Sequence, residues 1–163
     1  MVEITLLDVF VTLIILIIVI ASSSKKVTLN IEKKPYYKFY KTGLILKMLG
    51  ASSFCLIYLF YYSGGDTTNY FIGAKAMYNV IWESPADYLF IMFNSNERIS
   101  WSKFSIDTGY PPHYMFRDSR TYLVMKITSV ICFIAQGGFL STTILLSIFS
   151  YKLLWGLYEI IVI

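Results

Sequence analysis

Apolar residues gather into three long runs, and most of the polar residues lie between them. Ile4–Ala21, "ITLLDVFVTLIILIIVIA", is the first, Leu44–Tyr62 the second, and the third falls within Tyr122–Tyr151. A helix needs about 20 apolar residues to cross a hydrocarbon core, and the first two runs have roughly that length. The third is longer: thirty helical residues would extend about 45 Å. Lys126 and the step Gln136-Gly137-Gly138 therefore predict an outer portion that protrudes or bends. Leu153–Ile163, "LLWGLYEIIVI", is apolar but too short to cross. It predicts either a partial helix flat on the membrane surface or the front part of a longer polytopic protein, and the second is preferred.

Residues 63–120 carry a different pattern. Tyr70, Phe71, Ala74, Met77, Tyr78, Ile81 and Trp82 recur at helical spacing, with Asn69, Lys75, Asn79 and Glu83 on much of the opposite face. Ser84-Pro85 reads as a cap and first-turn proline for a short helix, "PADYLFIMF". Neither helix is apolar and long enough to span, so both are expected along the membrane surface. From Asn94 to Arg120, Gly109 and Pro111-Pro112 predict an ordered loop with turn or extended geometry.

Composition agrees with the bilayer as solvent. The chain is 56% hydrophobic, 18% aromatic and only 15% charged, where soluble domains carry about a quarter charged residues. The net charge of +4 is concentrated in one segment, Ser22–Gly43, which has six lysines against the single acid Glu32. Residues 63–120 carry five cations against six acids. Lysine-rich short loops stay on the cytoplasmic side. This places the N-terminus outside, residues 22–43 inside and residues 63–120 outside, periplasmic in a bacterial inner membrane. The pattern speaks against nucleic-acid binding. Glu3 and Asp8 at the front of the first run, with lysines behind it, predict an uncleaved anchor and not a signal peptide. Tyr36, Tyr37, Phe39 and Tyr40 suit the headgroup level at the inner end of the second run. Cys55 and Cys132 lie inside apolar runs and read as small hydrophobes.

The chemistry-bearing candidates are few. No phosphate loop, dinucleotide glycine triplet, paired Cys/His metal spacing or serine elbow occurs. His113 is the single histidine and reads as a structural or surface residue. "YYSGGDTTNY" places Asp66 behind two glycines just past the second run. Two roles are open to it. It can cap the next helix by accepting an amide hydrogen bond near Thr68 or Asn69. It can also take a proton from an attacking hydroxyl or bind a divalent cation as cofactor. Arg117, Arg120 and Lys126 form a second group, at the mouth of the third run. They suit pyrophosphate oxygens, or equally outer-leaflet headgroups with Asp118 as ion-pair partner.

The stretches "YYSGGDTTNYFIGAKAMYN", "TGYPPHYMFRDSRTYLVMKI" and "ICFIAQGGFLSTTILLSIFSY" resemble the front portion of multi-spanning bacterial membrane proteins described as glycosyltransferases or polysaccharide polymerases. The likeness covers most of the chain after about Leu44. It implies action on polyprenyl-phosphate-linked sugars, an acidic residue of the first external loop (Asp66) as base or metal partner, and short membrane-lying helices in that loop.

The expected fold is all-α and polytopic, with about three spans and an external loop of surface helices. The expected role is surface glycoconjugate assembly, with membrane lipids, a lipid-linked sugar and further spans or subunits as partners. The alternative is a small non-catalytic subunit of a larger membrane complex. Gly50-Ala51-Ser52-Ser53 and Gly137-Gly138 would then be helix-contact surfaces.

Overall fold

The computed structural model describes residues 2–62, 64–94, 97–114 and 119–162, without the side chains of Glu97 and Arg98. Its elements are α1 (Leu6–Asn30), a 3₁₀ turn (Pro35–Phe39), α2 (Tyr40–Phe60), α3 (Asp66–Glu83), α4 (Pro85–Phe93), α5 (Glu97–Trp101), α6 (Ser119–Ile134) and α7 (Phe139–Val162). No strand occurs among the described residues.

Among the described residues, three segments are long and apolar enough to cross a membrane: Leu6–Asn30, Pro35–Phe60 and Phe139–Val162. Only 17%, 17% and 22% of their apolar windows are buried within the chain, and side chains such as Leu6, Ile17 and Leu46 stand exposed. In water so much bare apolar surface would drive association, whereas in hydrocarbon it costs nothing. The fold is that of an all-α membrane protein.

α1 and α7 run in the same direction and pack on each other, and α2 runs back against both. Asp8 of α1 meets Ser141 of α7 at one end, and Lys26 and Lys152 line one pocket at the other. The Tyr151 hydroxyl donates to the Tyr40 carbonyl at 2.7 Å, fixing the start of α2 against the later half of α7. Leu44, Met48, Ile144, Ile148 and Trp155 form the core of this bundle. Tyr37 and Tyr40 pack into it too, edge-on to Trp155 at ring separations of 5.5 and 4.9 Å.

A second core joins α3, α4 and α6 around Met77, Ile91 and Met125. The expected apolar face of α3 is present, but protein covers most of it. Phe71, Ala74, Met77 and Tyr78 are buried, and of that face only Trp82 is largely exposed. α4 starts as the sequence predicts: the Ser84 hydroxyl accepts from the Asp87 amide at 3.2 Å, with Pro85 in the first turn. Phe71, Cys132 and Phe139 link the two cores.

The structure differs from the sequence reading at the third run. Residues 122–151 are not one bent span. They divide into α6 and α7 at Ala135–Gly138, and residues 153–162 continue α7 and do not form a separate surface helix. The break has a local cause. Gln136 and Gly137 have φ of 55° and 75°, a left-handed turn that ends a helix. The Gly137 and Gln136 amides reach back to the Cys132 and Phe133 carbonyls at 2.8 and 3.2 Å, so two of the last carbonyls of α6 keep partners.

α7 then starts behind Gly138, which has no side chain to cap it. The cap comes from α1. The Leu140 and Ser141 amides donate to the two carboxyl oxygens of Asp8 at 2.8 and 2.9 Å, and the Ser141 hydroxyl donates at 2.6 Å. Asp8 is 1% exposed, yet each oxygen has a donor. On the other side of the break the Lys75 ammonium of α3 donates to the Gly137 carbonyl at 2.9 Å, placing a cation where α6 ends. A Cβ at Gly138 would collide with the Asp8 carboxyl and the Ser141 hydroxyl, whereas Gly50 and Gly156 face open space.

Gly138→Ala is therefore expected to destabilise the protein by about 1–3 kcal/mol, the cost of overpacking a fixed site. Gly50→Ala and Gly156→Ala, inside helices, should be neutral or stabilising by about 0.5–1 kcal/mol. Thermal unfolding in detergent micelles measures all three, and a harmless Gly138→Ala would contradict the packing described.

Candidate functional site

The chain leaves α2 through Gly64 and Gly65, whose φ values are 144° and 136°. Residues with a Cβ avoid that conformation, so the double glycine is what turns the chain into α3. Gly65, not Asp66, is then the capping residue of α3. This corrects the capping expectation for Asp66. Both positive-φ positions must be glycine, and the helix starts immediately behind them, which leaves Asp66 as its first residue. An acid there still suits the positive end of the helix. Its side chain is exposed, with no hydrogen-bond or ion-pair partner among the described residues. The Thr68 hydroxyl ties the turn by donating to the Gly65 carbonyl at 2.8 Å.

Two hollows open on either side of the first turns of α3. A cleft of about 600 Å³ opens between the start of α1, the end of α2 and α3, lined mainly by Val2, Ile4, Leu59 and Phe60, with Glu3, Thr68 and Asn69 as polar groups. A groove of about 190 Å³ runs between α3, α6 and α7, with Thr67, Val124, Thr128, Thr142 and Leu146 among its walls. Thr67 adjoins Asp66. Val124 lies one turn beyond Arg120 on the same face of α6. Neither Asp66 nor Arg120, an exposed residue of the first turn of α6, is itself part of the groove wall; each stands next to a wall residue along its own helix.

The other expected phosphate ligands stand differently. Arg117 lies outside the described residues. Lys126 is 9% exposed, donates to the Asn94 carbonyl at 2.8 Å and stands 4.6 Å from the Tyr122 ring centre. It secures the end of α4 from within the outer core, an engagement that a bound phosphate would have to break. His113 is exposed, with its ring edge-on to Trp101 at 5.4 Å. No group of three His, Cys, Asp or Glu side chains is placed to hold a metal among the described residues. Cys55 and Cys132 are free and buried, and burial pushes the Cys132 thiol up to about 11.

Sequence reasoning missed Glu3. It lines both the large cleft and an adjoining one of about 390 Å³ that reaches Lys75, Asn79 and Tyr110. No local motif marks it, since its position depends on where α3 crosses the front of α1. Asn69 and Asn79 belong to the same region and hold the segment beyond α5. The Asn69 amide donates to the Tyr114 hydroxyl at 2.7 Å and the Asn79 amide to the Thr108 carbonyl at 2.9 Å. No protein family matches the chain, and no curated protein or solved structure compared with it matches either.

One ion pair ties α4 to the segment after α5. Lys103 donates to Asp87 at 2.7 Å, and this bond holds the Asp87 carboxyl below its ordinary value, against a smaller opposing effect of burial. A lowered carboxyl pKa stabilises the fold above the ordinary value of about 3.9 and loses that contribution as pH falls through the folded value. Both side chains are a third exposed, so the pair contributes at most about 1 kcal/mol. Between pH 5 and pH 2, proteolytic cleavage between residues 102 and 114 should rise in the wild type. Asp87→Asn should show the faster cleavage already at pH 5 and a flatter pH response.

Proposed function

We propose that the chain acts at the outer face of a bacterial inner membrane in surface glycoconjugate assembly, as part of a glycosyltransferase or polysaccharide polymerase using polyprenyl-phosphate-linked sugars. Asp66 is the proton acceptor or cation ligand in this reading, and Arg120 together with Arg117 holds phosphate oxygens. One observation carries it: Asp66 is an exposed, unengaged carboxyl at the exit of an apolar helix, next in sequence to Thr67 of a largely apolar groove. Several other acids are occupied, although Glu3, which lines the large cleft, is as unengaged as Asp66 among the described residues. Asp8, Glu83, Asp87 and Glu159 all accept hydrogen bonds from side chains or backbone elsewhere in the fold. The groove walls below Asp66 are apolar or threonine, a lining that suits the first carbons of a lipid chain with its charged head at the rim.

A second reading, a non-catalytic subunit of a membrane complex, draws support from the same surfaces. The faces of α1, α2 and α7 left open to lipid can equally receive neighbouring helices, and Lys75 and Lys126 serve the fold.

Asp66→Asn separates the two. The exposed position makes the substitution structurally mild, so membrane abundance should stay normal. Loss of the charge and basicity should cut polysaccharide output in cells by about 10²-fold if the carboxyl takes a proton or holds a cation. Unchanged output at normal abundance would exclude that role and leave the subunit reading.

A further inference from the structure

At the opposite end of the bundle from Asp66, α1, α2 and α7 enclose a pocket of about 260 Å³ lined by Val19, Ser22, Lys26, Tyr40, Leu44 and Lys152, with buried Ser23 behind. We infer that this pocket binds the phosphate of an anionic lipid headgroup, independently of the catalytic reading above. Its two cations come from different helices, 126 positions apart in the chain, and no acidic side chain lines it. Lys26 is held in place by aromatic rings, its ammonium 4.7 Å from the Tyr40 centroid and 5.7 Å from that of Tyr37. Lys152 is exposed and has no carboxylate partner among the described residues. Glu159, an acid at this end of α7, bonds Lys34 at 3.1 Å and the Tyr37 hydroxyl at 2.8 Å and acts on Lys26 only through space, forming no ion pair with either pocket cation.

The level of the pocket identifies the source of the anion. The apolar run of α1 ends at Ala21, one residue before the pocket's Ser22, and Leu153 and Leu154 flank Lys152 with their side chains exposed. Such a position lies at the boundary between hydrocarbon and headgroups, where two lysines attract a negative lipid surface. Val19 and Leu44 supply an apolar floor for the carbons next to the phosphate. A free phosphate would use the cations but gain nothing from that floor. The remaining lysines of residues 25–41, Lys25 and Lys33 among them, lie outside the lining. They provide a charge-matched control.

The chain is reconstituted into nanodiscs of phosphatidylcholine containing a minor fraction of phosphatidylglycerol, extracted mildly, and its retained lipid measured by native mass spectrometry. Wild type should be enriched in phosphatidylglycerol. Lys26→Gln with Lys152→Gln should lose about thirtyfold of that enrichment, as two surface cations predict, whereas Lys25→Gln with Lys33→Gln should keep it. Should the pocket pair fail to insert, Lys152→Gln alone carries the test with about a fivefold loss, because its side chain is exposed. Equal losses in the pocket and control pairs, or no enrichment in wild type, would overturn the site. So would protection from unfolding in detergent by inorganic phosphate alone that matches phosphatidylglycerol.

Discussion

A carboxyl group inside an apolar helix is expensive unless every oxygen finds a donor, and Asp8 finds its donors on the first turn of α7. The two amides that it receives are ones a helix start leaves unpaired, and a local Ser, Thr, Asn or Asp usually satisfies them. Here the residue before the helix is Gly138, and the acceptor arrives from 130 positions upstream. Neither side can be left alone in an apolar surrounding. Removing the carboxyl strands the two amides, at about 1–3 kcal/mol for each group left unsatisfied, while the Ser141 hydroxyl keeps the Ala135 carbonyl at 3.1 Å. This mutual requirement sets the depth at which α1 and α7 pack and gives them their common direction.

The rest of the architecture follows from where α7 begins. Because its start is anchored inside the protein, the preceding helix must turn aside, and the left-handed pair Gln136-Gly137 turns it. α6 then packs on α3, and Lys75 of α3 closes the turn from the other side through the Gly137 carbonyl. An acid at the start of one helix and a cation at the end of the other both match the polarity of the backbone dipoles. Phe71 against Phe139, at 5.0 Å between ring centres, fills the space beneath the turn. The platform of α3, α4 and α6 is thereby fixed on the three-helix bundle, and with it the groove between Thr67, Val124 and Leu146.

Much of this was legible wherever the signal is local. Ser84-Pro85 announces the start of α4 because the capping hydroxyl and the first-turn proline are neighbours in sequence. The glycine pair before Asp66 announces a turn for the same reason, and the run of α1 announces a span by length alone. What sequence could not supply were the pairings across the chain. Asp8 reads as an acid at the front of an anchor, and nothing near it names Leu140 and Ser141 as its partners. Gln136-Gly137-Gly138 reads as a bend in one long helix, since the partners that make it a clean break, Asp8 and Lys75, lie on α1 and α3. Lys126 reads as a cation at a membrane mouth. Its burial against Tyr122 and Asn94 depends on α4 folding back over α6.

The dependence of the fold on Asp8 is tested most directly by amide hydrogen exchange at Leu140 and Ser141, in wild type and in Asp8→Asn, in the same detergent. With the carboxyl in place both amides should exchange as slowly as those in the middle of α7. Asp8→Asn puts an amide group, with only one acceptor oxygen, where two are used. At least one of the two amides should then exchange about tenfold faster or more, with protection in the middle of α2 unchanged. Equal protection of both amides in the two proteins would show that α7 starts without Asp8, and would contradict its place at the centre of the fold.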